Sequence, residues 1–325
     1  MPASRRHRGG MLRSPLPLDL GDSFSTAAAL AAGVSRSRLR SKDLLRPFHG
    51  VRTRSACDVE PERSVELGLL DQMCRYAPRM PAVQFFTLVS AAVAWSIPLP
   101  LSLVMGRALD VGVFAPRRGP AGRGVIGHAV KPELAHTVIH PELGLRVTTP
   151  ASTWAMLGSV LTRLEDVVAA ADAAQRIPMH PDDPPALATR PQLEAALTAG
   201  RRRGAALLRE ALPRAITRSR SRPESWMRIV LVDAGLPEPF ANFDVFDGGS
   251  WLAQVDLAYP ERKVAMEYEG DHHRTDARQW TVDIQRVDRL AEAGWRVIRV
   301  TRQDIYVHPT QFAVRVRRAL DGARR

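Results

Sequence analysis

Cysteine is scarce. The 325 residues hold only Cys57 and Cys74, in no C-x-x-C arrangement. That excludes a zinc ribbon, a thioredoxin-type pair and a fold stapled by disulfides, and it fits a reducing, cytoplasmic setting. Long apolar runs are lacking too. The most apolar stretch, residues 85–104, is broken by Pro98 and Pro100 and diluted by Thr87, Ser90 and Ser96. A membrane span needs about 20 mostly apolar residues, so a buried helix ending before Pro98 is expected, and no membrane engagement. Residues 1–17 lack the apolar core of a secretory signal and read as a disordered basic tail. Negative charge is also short, with 34 acidic against 46 basic residues, a net charge of +12 and a pI near 10.9. Such a balance points to a polyanionic partner, either nucleic acid or an anionic membrane surface, or else to Arg-rich surfaces of a basic proteome.

The chain then divides by pattern. Residues 18–55 carry two helical signals, around 24–34 and 35–45, joined at Gly33-Val34-Ser35 and followed by a short extended piece at 48–52. That is a helix-turn-helix pattern with a wing. Eleven basic residues stand against three acidic ones between 1 and 55, and Arg36, Arg38 and Arg40 lie on the second helical signal as candidate DNA contacts. Residues 56–176 alternate helical segments (67–76, 82–95, 150–175) with short strand candidates (109–114, 125–128, 136–139, 145–148). His128, His136 and His140 fall among those strands without a diagnostic ligand spacing. Residues 177–222 form a linker with five prolines between 177 and 191, then a basic helical stretch with eight Arg and one acidic residue between 201 and 222.

Residues 223–325 read as helix, strand, strand, strand, helix, strand, helix, one compact α/β domain of about 100 residues. Its centre is Val255-Asp256-Leu257-Ala258-Tyr259 followed by Met266-Glu267-Tyr268-Glu269-Gly270-Asp271-His272-His273. Alternation places Val255 and Leu257 on one face with Asp256 on the other, and Glu267 and Glu269 on a shared face. A hairpin would let Asp256 meet them. Like charges on a mostly apolar sheet are costly without a cation, and three carboxylates suit Mg²⁺ or Mn²⁺ in phosphodiester hydrolysis. Unrelated surface carboxylates are the alternative. Glu224 can lean in from the preceding helix or serve its N-terminal dipole. His272 or His273 can act as general base or touch phosphate. Arg286, on one helical face with Asp283 and Arg289, can hold a phosphate or pair structurally.

Those runs, with Asp283-Ile284-Gln285-Arg286 and residues 294–301, resemble the very-short-patch-repair (Vsr)-like domains of the PD-(D/E)XK restriction-endonuclease-like superfamily. The resemblance covers about residues 223–320. It implies a mixed sheet flanked by helices, with Asp256 and Glu267 as metal ligands and Glu224 as the acidic residue of the first helix. Glu269 stands where that superfamily usually has lysine. Residues 24–52 resemble the winged-helix domain of AbiEi-family antitoxins, and residues 60–175 resemble the region that follows it.

The expected protein is therefore α/β in its units and α+β overall. A winged-helix-like and mixed α/β region precedes a restriction-endonuclease-like mixed sheet flanked by helices. Its expected function is a Mg²⁺-dependent DNA endonuclease of repair or defence. The alternatives are a catalytically inactive DNA-binding regulator of antitoxin type and a protein-interaction scaffold. A homodimer is left open.

Overall fold

The computed structural model describes residues 14–54, 65–270 and 286–322. The fold is α+β, with three separate sheets. The first sheet is small, in the order β1 (Ser23–Ser25), β3 (Val51–Arg54), β2 (Leu44–Leu45). The helix α1 (Thr26–Ala31) is capped by the Ser25 hydroxyl, which accepts from the Ala28 amide. The expected second helix at 35–45 is absent: only a 3-10 turn forms at Arg38–Arg40. Ser35, Ser37 and Ser41 favour local side-chain bonding over helix. Ser35 accepts from the Arg38 amide, and the Arg38 guanidinium is held by both oxygens of Asp43 at 3.1 and 2.8 Å.

The middle region carries a five-stranded sheet. After α2 (Val65–Tyr76) come β4 (Gln84–Phe86), α3 (Leu88–Ala94), α4 (Leu101–Val104), β5 (Leu109–Phe114), β6 (Val125–Val130), β7 (Thr137–Ile139) and β8 (Arg146–Thr148). The strand order is β6-β5-β4-β8-β7. Three residues of the helix expected over 82–95, Gln84–Phe86, are strand instead, because Phe85 and Phe86 take the central position of this sheet, where aromatic residues pack well. The remainder is α3, buried throughout and ending before Pro98. No described helix is long and apolar enough to cross a membrane. The three histidines do not gather: His128 pairs with Asp110 at 2.8 Å, and His140 stacks on Trp95. Helices α5 (Pro150–Leu157), α6 (Leu164–Gln175), α7 (Arg190–Thr198) and α8 (Ala205–Ala211) complete this part. Thr149 caps α5 with Pro150 in its first turn, as its sequence signals.

The last part runs α9 (Arg222–Asp233), β9 (Phe240–Asp247), β10 (Ser250–Tyr259), β11 (Val264–Tyr268), a helical segment α10 over 286–292, β12 (Arg296–Val300), α11 (Arg302–Tyr306) and α12 (Pro309–Gly322). The sheet order is β12-β11-β10-β9, antiparallel except for the parallel β11–β12 pair. Val264 and Met266 pack with α9 and α12, while Ala265 packs with Leu290 and Trp295, so each face of the sheet has its own core.

Two acidic residues of α6 fix the start of α9. Asp166 accepts from Arg222 and from the Trp226 indole, each at 2.7 Å. Asp172 accepts from Ser225 at 2.6 Å and from the Ile216 amide at 2.7 Å, and lies 3.5 Å from the fully buried Arg228 guanidinium. Ile229 belongs to the core of the middle region, whereas Trp226, Met227 and Leu231 belong to the last sheet's core. Helix α9 is therefore built into both.

Candidate functional site

The candidate site forms where β10 changes face. Val255 packs in the core beside Trp295, but Leu257 packs in the core beside α9. Simple alternation would have kept both on one side. The reason lies on the neighbouring strand: Asn242 has a φ of 47°, between the registered pairs Phe243–Val255 and Ala241–Leu257. That left-handed residue interrupts β9 opposite Asp256. Asparagine tolerates the conformation better than most residues. Its side-chain amide donates to the Arg218 carbonyl at 2.8 Å and to Glu224 Oε2 at 2.6 Å, which holds the distortion in place.

Glu224 stands in the first turn of α9, behind Ser221, whose hydroxyl caps the helix. It is buried, and its Oε2 also accepts from the Arg220 amide at 2.8 Å. Burial, and then the charge of Asp256 beside it, push its carboxyl up to about 7, against the pull of its hydrogen bonds. Asp256 Oδ2 accepts from the Tyr268 amide at 2.7 Å, so a side chain takes over where the β10–β11 ladder stops. The last registered pair of that ladder is Leu257–Met266, and Asp256 and Glu267 are the next residues on the two strands. Glu267 is buried, and its Oε2 accepts from Arg286 at 2.7 Å. Arg286 also reaches the Gln254 carbonyl at 3.4 Å, while the Gln254 side chain accepts from Arg220 at 3.4 Å. Glu224, Asn242, Asp256, Gln254, Glu267, Arg220 and Arg286 thus make one connected polar group across three strands and two helices.

Glu269 does not join it. It lies just past the end of β11, exposed, and pairs with Arg299 at 2.8 Å. Its amide still donates to the Val300 carbonyl at 2.8 Å, while its carboxylate is engaged by Arg299. His272, His273 and Asp283 lie outside the described residues. Among the described residues no set of three or more His, Cys, Asp and Glu side chains gathers as a metal site. Asp256 and Glu267 still offer the one or two carboxylates through which a hydrated Mg²⁺ is usually held. Glu224 is raised chiefly by burial, and the charge of Asp256 adds to the rise, so a cation brought to Asp256 would ease part of it.

Two arginines of the basic stretch have partners in the fold: Arg218 donates to the Ala241 and Asn242 carbonyls, and Arg222 binds Asp166 and the Tyr306 hydroxyl. Arg38 is locked on Asp43, whereas Arg36 and Arg40 are exposed. Sequence reasoning passed over Asn242 and Gln254. A polar residue between Ala241 and Phe243, and another two positions before Asp256, were the available signals.

No protein-family model matches the chain, and no solved structure matches it. Two uncharacterized proteins of Mycobacterium tuberculosis, one from strain CDC 1551/Oshkosh and one from strain H37Rv, are similar to it. Each is 29% identical over 239 residues, spanning 68% of this chain and 88% of the relative.

Proposed function

We propose that the protein is a DNA-binding, divalent-metal-dependent endonuclease whose phosphodiester-hydrolysing site is centred on Asp256 and Glu267. The observation that carries this reading is the placement of Asp256 and Glu267 as the next residues on two paired strands, just past the last registered pair of the β10–β11 ladder, with the buried Glu224 close enough to feel the charge of Asp256. Like charges gathered there favour a protonated carboxyl or a bound cation.

Asp256 and Glu267 would hold Mg²⁺ or Mn²⁺. Bound there, the ion would supply Lewis-acid stabilisation of the phosphate and a more acidic attacking water. The chain's own residues do the rest. Glu224 Oε2 already accepts two hydrogen bonds, so its proton, when present, belongs on Oε1, where it can be exchanged near neutral pH. The Tyr268 amide orients Asp256. Arg286 balances Glu267 and has further donors for a phosphate oxygen. Arg220 and Gln254 fix the strand segment that presents these groups.

One observation favours a second reading, a DNA-binding regulator that no longer cuts. The position expected to carry lysine is Glu269, and its carboxylate is turned to Arg299. Plasmid nicking by the purified chain with Mg²⁺ or Mn²⁺ separates the two. Wild type should nick, and Asp256→Ala should lose activity by at least on the order of a hundredfold. Calorimetric metal binding should weaken in parallel. Equal nicking by both proteins would remove Asp256 from the chemistry. Metal-independent DNA binding without nicking would establish the regulator instead.

A further inference from the structure

A second region of the molecule has the chemistry of a polyanion site and lies far from the carboxylates in sequence. A cleft of about 840 Å³ opens between the first sheet and the middle region. It is lined by Arg46, Arg52, Arg79, Arg123 and His49, and no Asp or Glu lines it. None of the four arginines is ion-paired among the described residues, in contrast to Arg38, Arg107, Arg220, Arg222 and Arg228 elsewhere in the chain.

Three of these guanidiniums are aimed by backbone carbonyls. Arg79 donates to the His49 carbonyl at 2.6 Å and lies over the Tyr76 ring. Arg52 donates to the Leu39 carbonyl at 2.6 Å and to the Val51 carbonyl at 2.7 Å. Arg46 donates to the Arg40 carbonyl at 3.1 Å. Arg123 is exposed at the opposite wall, beside Gly122 and Gly124. Carbonyl anchors restrict the side chains without neutralising them, so less rotamer entropy is lost when an anion arrives. The floor is rigid: Phe48 and Tyr76 are buried and pack edge to face, and a side chain at Gly124 would press on Phe48. Like charges held together in a concave surface focus positive potential into it.

We propose that this cleft is a phosphate-binding site that takes the backbone of the nucleic acid, and that it, rather than the Arg36–Arg40 segment, is the main docking surface. The proposal rests on the nucleic-acid reading given above. Its volume exceeds what one inorganic phosphate fills, and guanidinium donors on both walls suit successive phosphates of a strand. Arg38, the centre of the alternative segment, is already neutralised by Asp43.

The test is anisotropy of a fluorescein-labelled DNA duplex with the full chain across a salt series. Arg46→Ala/Arg123→Ala should raise Kd about tenfold at physiological salt and flatten log Kd against log salt by about 0.9 for each phosphate left without its arginine. Arg46→Lys/Arg123→Lys, which keeps the charge, should retain most of the slope. Arg36→Ala/Arg40→Ala should change both by less. Unchanged affinity and slope in the cleft variant, with its thermal melt intact, would overturn the proposal. So would stabilisation by pyrophosphate without duplex binding by wild type, which would make the cleft a small-anion site. Nicking by Asp256→Ala reads the carboxylate site separately. Normal nicking there together with abolished duplex binding in the cleft variant would remove the catalytic reading and keep this one.

Discussion

Two acidic pairs flank the start of helix α9, and they are built on opposite principles. Behind the helix, Asp166 and Asp172 of α6 are met by Arg222, Arg228, Ser225, the Trp226 indole and the Ile216 amide. In front of it, the buried Glu224 feels the charge of Asp256 and is met by neutral donors, the Arg220 amide and the Asn242 side chain. Both groups contain a carboxyl raised by burial, Asp172 to about 6 and Glu224 to about 7. The second cause separates them. At Asp172 it is Arg228, which opposes the rise; at Glu224 it is Asp256, which adds to it. A buried acid with a cation of its own locks two parts of a fold together. A buried acid beside another acid holds its proton more tightly, and would gain from a cation brought to it.

Removing an acid should therefore have opposite signs at the two positions. Asp172→Ala leaves Arg228 short of a partner in a fully buried position and should destabilise the chain by about 3–5 kcal/mol, read by urea denaturation. A loss below about 1 kcal/mol would show that Glu238 and the Arg214 carbonyl suffice for Arg228. The pH profile comes next in size. The folded-state value of Asp172 lies above its ordinary 3.8, so its favourable contribution is complete below about pH 4 and disappears as pH rises through about 6. The shift corresponds to something on the order of 3 kcal/mol, and Asp172→Asn should flatten the wild-type decline across that window. Parallel wild-type and variant profiles would contradict this assignment. The smallest effect is expected in front of the helix. Glu224→Gln preserves an acceptor for Asn242 and the Arg220 amide while deleting the repulsion, and without divalent ions it should stabilise the protein at pH 8 by about 1–2 kcal/mol. Destabilisation of that size would erase the contrast between the two pairs.

The last sheet was legible because apolar runs and turn residues mark out its elements: β9 to β12, α9 and α12 fall where those patterns put them, although β10 changes face partway. Asp256 and Glu267 were legible as neighbours because a short hairpin allows few registers. The kink at Asn242 was not, since a single left-handed residue leaves little trace in a hydrophobic pattern. Nor was the clamp from α6, whose partners lie 44 to 60 residues away along the chain. The supposed recognition helix failed for a local reason. Ser35 and Ser37 and the Arg38–Asp43 pair satisfy that segment as turns, and a run of arginines says nothing of backbone conformation.

Helix α9 sends Ile229 into one core and Trp226, Met227 and Leu231 into the other. The four-stranded sheet therefore does not own the helix that carries its buried glutamate. A gene fragment beginning at residue 223 would encode every candidate carboxylate and still expose Ile229, Arg228 and Ser225 to water. Recombination could not readily shuffle the four-stranded sheet as a self-standing cassette, and lesions in the upstream scaffold would be expected to surface as disorder around Glu224.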